Sequence, residues 1–87
     1  MKQLNRPLYR IERKPEVLAK TGFSRSTLHL RIKQNLFVPP IALGARAVGW
    51  LAHETDAILG AMIAGCSGDE LRELVNRLLD QRKSALV

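Results

Sequence analysis

Cysteine is nearly absent from this sequence of 87 residues, and a single residue, Cys66, excludes an intrachain disulfide. The basic start at residues 1–6 is followed by no apolar run, so we expect no signal peptide. No apolar stretch reaches the length that a membrane helix needs. These absences predict a cytoplasmic protein with no membrane partner.

Motifs that carry catalysis are also missing. The sequence has no plausibly placed serine–histidine–acid set, no phosphate-binding glycine motif and no cluster of metal ligands. His29 and His53 have no second ligand at metal-binding spacing. Glu54 and Asp56 lie two residues apart on a predicted helix and so point in different directions. We therefore expect a protein that is not an enzyme and holds no metal or other cofactor.

Acidic residues are scarce in the first half of the chain. Residues 1–50 carry ten Lys or Arg against two Glu, a net charge of +8, whereas residues 51–87 carry −2, and the whole chain carries +6. A basic excess confined to one half is expected when that half faces a polyanion such as nucleic acid. The alternative is solubilising charge on a small basic protein, and composition alone favours nucleic acid only modestly.

Two short helices joined by a tight turn are predicted after a short strand or extended arm at residues 9–12. Pro15 stands where a helix can begin, and Gly22 can take the left-handed conformation that ends one. Ser24 is placed as the N-cap of the second helix, which runs to about residue 34. Two helices connected in this way form a helix-turn-helix pattern.

A β-hairpin is predicted next, with its turn at residues 44–46 and alternating apolar residues on both sides. One face of this hairpin is expected to pack on the helices and to place Trp50 in the core. The four apolar residues expected on that face are Ile41, Leu43, Val48 and Trp50.

Two further helices are predicted, over residues 52–64 and from about residue 69 towards residue 85, with a break between them. The last helix carries an apolar stripe of Leu71, Leu74, Val75, Leu78 and Leu79. We expect a mainly α-helical domain over residues 1–66, in which the helix-turn-helix is followed by the β-hairpin. Residues 67–87 would then form an amphipathic helix that either packs on this domain or mediates a homodimer.

Two segments of this sequence resemble a known family. They are Thr21-Gly22-Phe23-Ser24-Arg25-Ser26-Thr27-Leu28 and Leu43-Gly44-Ala45-Arg46-Ala47-Val48-Gly49-Trp50. Together they resemble the AlpA family of prophage regulators, which is related to phage excisionases and more distantly to MerR-type winged helix-turn-helix domains. The resemblance extends over roughly residues 8–64. It implies a winged helix-turn-helix fold and a role in binding double-stranded DNA to regulate prophage genes.

The second helix departs from this family at one run of residues. The family commonly has Tyr-Arg-Leu-Ile where this chain has His29-Leu30-Arg31-Ile32. On a helical wheel Arg31 then falls on the core side beside Leu28. Either its side chain extends from the edge of the core to solvent, or the helix is slightly rotated. Leu30 falls outward, against a thymine methyl or a partner protein. Asn35, where the family usually has glycine, can also take a left-handed conformation.

The start of the second helix and the tip of the hairpin supply the candidate DNA contacts. Helix N-termini bind phosphates, recognition helices read bases from their first turns, and a protruding arginine can enter a narrow minor groove. The candidates are Ser24, Arg25, Ser26, Thr27, His29, Arg31, Lys33 and Arg46. The plain alternative is helix capping for Ser24 and solvated surface side chains for the others.

A basic arm at the start of the chain is a further candidate, with contact to the DNA backbone and no contact both open. Its residues are Lys2, Arg6, Arg10 and Arg13.

Three functions remain open from the sequence. The first is a sequence-specific DNA-binding regulator of prophage or mobile-element genes. The second is an excisionase-type factor that bends DNA for recombination. The third is a protein-interaction adaptor, such as an antirepressor, that uses Leu30 and the C-terminal stripe. The partners weighed are double-stranded DNA, a second copy of the chain, an integrase and RNA polymerase.

Overall fold

A computed structural model of the chain describes residues 9–84. The elements in chain order are β1 (Ile11–Glu12), α1 (Lys14–Thr21), α2 (Arg25–Lys33), β2 (Ile41–Gly44), β3 (Ala47–Leu51), α3 (Ala52–Ile63) and α4 (Gly68–Ser84). The strands form one antiparallel sheet in the order β1-β3-β2. The predicted fold class, mainly helical with a small hairpin and compatible with a winged helix, is confirmed.

The ends of α1 and α2 form where their cap residues predict them. Gly22 has φ 76° and donates its backbone N–H to the carbonyl of Leu18. The hydroxyl of Ser24 accepts the backbone N–H of Thr27 at 3.1 Å and so caps α2. Asn35 ends the turn after α2 in the left-handed region, with φ 61°, where glycine or asparagine is expected.

The predicted hairpin is present, but the prediction that four apolar residues share one face is wrong. Gly44 pairs with Ala47, and continuing that register would set Leu43 opposite Val48. A bulge between Ala42 and Gly44 shifts the register, so that Val48 lies opposite Ala42. Because a slip of one residue exchanges the faces of a strand, Leu43 lies on the face opposite to Val48.

The outer half of the hairpin lies outside the core. Trp50 is 1% exposed, whereas Leu43 is 43% exposed and Val48 is 39% exposed. On the face away from Trp50, the side chains of Ile11 and Leu43 lie over Gly49. A Cβ built on Gly49 would approach Cγ2 of Ile11 to 2.5 Å, so this position has no room for a side chain.

One hydrophobic core joins the helix-turn-helix to the C-terminal helix. Its buried members are Val17, Leu28, Phe37, Val38, Trp50, Ile58, Val75 and Leu78. Of the predicted α4 stripe, Leu71, Val75 and Leu78 are buried, and Leu74 and Leu79 pack against the core. The indole N–H of Trp50 donates to the carbonyl of Val38 at 3.0 Å.

None of the helices within residues 9–84 is long and apolar enough to cross a membrane.

A buried ion pair fixes the end of α4. Glu54 is 1% exposed, and Nη2 of Arg82 donates to its Oε1 at 2.6 Å while Nε donates to Oε2 at 3.0 Å. The same Nη2 donates to the carbonyl of Pro39 at 2.7 Å. Arg82 therefore connects α4 to α3 and to the segment that leads into β2.

A second buried carboxylate joins β1, α1 and α3. Glu12 is 3% exposed and accepts from Nζ of Lys20 at 2.7 Å and from the hydroxyl of Thr55 at 2.6 Å. Lys20 also pairs with Asp56 at 2.5 Å. Asp56 and Glu54 thus turn to different cations, Lys20 and Arg82, and do not form a carboxylate pair.

Hydrogen bonds and charge outweigh burial in this cluster. Burial by itself would raise the pKa of Glu12, but the hydrogen bonds from Lys20 and Thr55 and the charges of Lys20 and Arg10 bring the pKa below 4.5. Burial would lower the pKa of Lys20, but Asp56 and Glu12 raise the pKa above 10.5. Both groups are therefore held in their charged forms.

The stability that Glu12 contributes should be lost in acid. Because its pKa is lowered by folding, that contribution is present above about pH 4.5 and disappears as the pH falls through the folded-state pKa. We expect Glu12→Gln to lower the free energy of unfolding at pH 7 by about 1–3 kcal/mol and to flatten its decline below pH 4.5. Urea unfolding between pH 2.5 and 7 measures both effects.

The control for this prediction is Glu73→Gln, which changes an exposed carboxylate on α4. This variant should keep the acid dependence of the wild type. An unchanged acid decline in Glu12→Gln would show that Glu12 is not the group responsible.

Candidate nucleic-acid interface

The outer face of α2, which comprises Arg25, Ser26, His29, Leu30 and Lys33, is exposed to solvent. Residues four apart on a helix share a side, so the three basic residues Arg25, His29 and Lys33 lie in one row. The opposite side of α2 buries Leu28 completely. The row of basic residues is therefore accessible to another molecule along the full length of this nine-residue helix.

Three hydroxyl side chains gather at the start of α2. The hydroxyl of Ser24, besides capping the helix, donates to Oγ1 of Thr27 at 2.9 Å and lies 3.3 Å from the hydroxyl of Ser26. All three residues are exposed. The predicted cap is confirmed, and the side chain of Thr27 is turned towards the cap. The first turn of α2 thus presents hydroxyl groups and uncapped backbone amides at the positive end of the helix dipole.

Lys14, which the sequence analysis did not single out, adds a base beside the outer face of α2. Its Nζ lies 3.1 Å from Nε2 of His29. Because a lysine ammonium can only donate, Nε2 of His29 accepts this hydrogen bond. The contact joins the first turn of α1 to the middle of α2 across 15 residues of sequence. No local pattern in the sequence signals such a pairing.

The start of α1 also holds the hairpin. Nε of Arg13 donates to the carbonyl of Val48 at 3.0 Å, and Val48 lies two residues after Arg46. Arg13 and Lys14 are neighbours in sequence, and their side chains contact β3 and α2 respectively. Helix α2 and the hairpin are therefore both bonded to the start of α1.

Arg46 lies in the two-residue turn of the hairpin and is exposed. Its φ of 64° is uncommon for a residue with a side chain and reflects the tight turn between β2 and β3. Its predicted place at the hairpin tip is confirmed.

The predicted basic arm is divided by the structure. Arg10 pairs with Glu12 at 3.4 Å and with Glu16 at 3.1 Å, and Arg13 bonds the hairpin. These two residues serve internal contacts. The other two, Lys2 and Arg6, lie outside the described residues.

Arg31 takes the core-side position that the helical wheel predicts. Its guanidinium carbon lies 5.2 Å from the centre of the Phe23 ring, the geometry of a cation–π contact. Its Nε is buried and has no hydrogen-bond partner within residues 9–84. This geometry favours a packing role for Arg31 over contact with a base. Leu30 points outward, as predicted, and is 52% exposed.

The far end of α2 is held by α4, a contact that the sequence analysis also missed. Nε of Arg72 donates to the carbonyl of Gln34 at 3.0 Å, where the helix dipole favours a cation. The amide of Asn35 donates to Oδ1 of Asn76 at 3.2 Å. Both ends of α2 are thus fixed, by its own N-cap and by the flank of α4.

Among residues 9–84 no group of three or more His, Cys, Asp or Glu is placed to hold a metal ion.

Residues 10–57 match the family model of the prophage CP4-57 regulatory protein (AlpA), which covers more than half of the chain. The chain belongs to the AlpA family. AlpA proteins are prophage-associated DNA-binding regulators and not typically enzymes. The matched segment contains β1, the helix-turn-helix, the hairpin and the first half of α3. It ends before α4.

A relative of this AlpA-family chain comes from a phage. The chain is 41% identical over 56 residues to "Uncharacterized protein ORF88" of Enterobacteria phage P4. The match covers 64% of this chain and 64% of that protein, so the chain spans less than two thirds of this curated relative. No solved structure matches the chain.

Loss of the Ser24 cap should weaken the AlpA-type helix-turn-helix. We expect Ser24→Ala to lower the free energy of unfolding by about 1 kcal/mol, because the backbone N–H of Thr27 loses its acceptor. Ser26→Ala removes a neighbouring exposed hydroxyl that does not cap the helix and should change stability by less than about 0.5 kcal/mol. Urea unfolding of the two variants checks this, and equal effects would contradict the assignment of the cap.

Proposed function

We propose that this AlpA-family protein is a sequence-specific regulator of prophage or mobile-element genes, with α2 in the major groove of DNA and the hairpin on the flanking backbone or minor groove. The observation that carries the proposal is the arrangement around the first turn of α1. There, Lys14 contacts His29 of α2 and Arg13 contacts Val48 of the hairpin.

The shape and charge of α2 support its place in the groove. An α-helix with its side chains is about 10–12 Å across, and the major groove is about 12 Å wide, so α2 can enter the groove and its outer face can reach the base edges. Arg25 stands in the first turn, from which recognition helices contact bases. Lys33 and Lys14 lie to its sides and suit phosphate groups.

The hairpin supplies a second point of contact. Arg46 is exposed at its tip and can bind phosphate or enter a narrow minor groove. Arg13 bonds the carbonyl of Val48 in the hairpin, and its neighbour Lys14 contacts His29 of α2, so the hairpin and α2 are both connected to the start of α1. Contacts from both elements would give the protein one orientation on the duplex.

Affinity in this docking mode should fall with salt. Four bases are positioned for phosphate or groove contacts: Lys14, Arg25, Lys33 and Arg46. Displacing counterions from about three or four phosphates gives a slope of about −3 in log Kobs against log salt concentration. Fluorescence anisotropy with duplex DNA at a series of salt concentrations measures the slope. Binding that is insensitive to salt would contradict the proposal and would favour a protein-interaction adaptor.

Arg25 and Arg46 should have separable effects on DNA binding. Arg25→Ala is expected to weaken binding and to relax discrimination between sites by about 1–3 kcal/mol, because its guanidinium can bond a guanine edge in two places. Arg46→Ala is expected to weaken binding to all duplexes by a similar factor and to reduce the salt slope by about 1. Gel-shift titrations with selected and random duplexes distinguish the two effects.

Arg77→Ala is the matched control, because Arg77 is exposed on α4, away from the flank that contacts α2. It should bind DNA as the wild type does. Wild-type affinity in both Arg25→Ala and Arg46→Ala would rule out the proposed docking mode.

A further inference from the structure

We infer that Leu30 reads the methyl group of a thymine in the major groove and so selects thymine at one position of the target site. This inference rests on the proposed function, since it requires the outer face of α2 to meet base edges. It assigns to one apolar side chain a role that the basic residues cannot fill.

Leu30 is an apolar side chain on a polar face. It is 52% exposed, and its neighbours on the outer face of α2 are Ser26, one turn before it, and Lys33, nearly one turn after it. Arg25 and His29 complete that face with further polar groups. A groove that receives these four polar side chains therefore also receives Leu30.

The packing of α2 holds Leu30 in this outward position. Leu28 is fully buried, Ile32 packs against the core, and Arg31 stacks on Phe23. Turning the helix to cover Leu30 would pull Leu28 out of the core and break the stacked contact. Leu30 is thus exposed by the fixed rotation of α2.

The chemistry of the base edges in the major groove limits which base Leu30 can contact favourably. In the major groove the four bases present hydrogen-bond donors and acceptors, and thymine alone adds a methyl group. A leucine side chain has no donor or acceptor, so against an amino or carbonyl edge it would displace water without replacing its hydrogen bonds. Against the thymine methyl it buries apolar surface on both sides.

The contact between Leu30 and the thymine buries about one methyl group. Removing the thymine methyl should therefore weaken the affinity of the protein for that duplex about fourfold. This is smaller than the loss expected from a base-bonding arginine, and it affects only sites that contain the thymine.

The experiment replaces thymine by deoxyuridine, which keeps the base pair and removes only the methyl. The full chain is first used to select its target from a library of randomised duplexes. Each thymine of the selected site is then replaced in turn, and affinities are measured by fluorescence anisotropy. We expect one position at which deoxyuridine weakens wild-type binding about fourfold.

Leu30→Ala should bind the thymine and deoxyuridine duplexes equally at that position, and a new selection with this variant should lose the thymine preference there. Ile63→Ala is the matched control, because Ile63 is 80% exposed at the end of α3. It should keep the wild-type ratio of thymine to deoxyuridine affinity. Leu30→Ala should remain folded, since Leu30 is not part of the hydrophobic core, and thermal melting checks this.

Four outcomes would overturn the inference. Equal wild-type affinity for every deoxyuridine duplex would leave the proposed function intact and remove the role of Leu30. An unchanged ratio in Leu30→Ala would assign the methyl contact to another residue. Loss of a co-purifying protein in Leu30→Ala, with no change in the ratio, would make Leu30 a protein contact. Failure of the wild type to bind any duplex would remove both the inference and the proposed function.

Discussion

The carboxylate of Glu12 is the interaction on which the candidate interface depends. It is buried and accepts from Lys20 of α1 and Thr55 of α3, so it sets the position of α1 against the sheet. The next two residues then turn outward in different directions, Arg13 to the hairpin and Lys14 to α2. Three consecutive residues thus join the core, the hairpin and the proposed reading helix.

Glu12 places a charged side chain at a buried position where an apolar residue could pack. A buried ion pair adds little net stability compared with an apolar replacement, because its desolvation cost offsets its Coulomb energy. Its geometry is directional, however, and Lys20 is shared between Glu12 and Asp56. The cluster therefore adds directional contacts between β1, α1 and α3 to the hydrophobic contacts of the core.

Local chemistry explains what the sequence could predict. Gly22, Ser24 and Asn35 mark the ends of α1 and α2 because each satisfies a backbone requirement within a few residues. Trp50 was expected in the core by its size and place in the hairpin, and it is there. The spacing of the α4 stripe likewise anticipated which of its side chains are buried. These features depend on neighbours that are close in the chain.

The features that sequence reasoning missed depend on distant parts of the chain or on one extra residue. The pairing of Lys14 with His29 and of Arg72 with the carbonyl of Gln34 is set by helix packing, which no local spacing reports. The bulge before Gly44 exchanges the faces of β2, although the turn and the strands were expected. A single unpaired residue reverses every inward and outward assignment along a strand, and nothing in the alternation reveals it.

The contacts between α4 and α2 reach beyond the part of the chain that the family model matches. The matched segment ends at residue 57, whereas Arg72 and Asn76 bond Gln34 and Asn35 at the end of α2. The orientation of α2 therefore depends in part on residues outside the matched segment. A substitution confined to α4 can change how α2 presents its outer face while every residue of the matched segment stays the same.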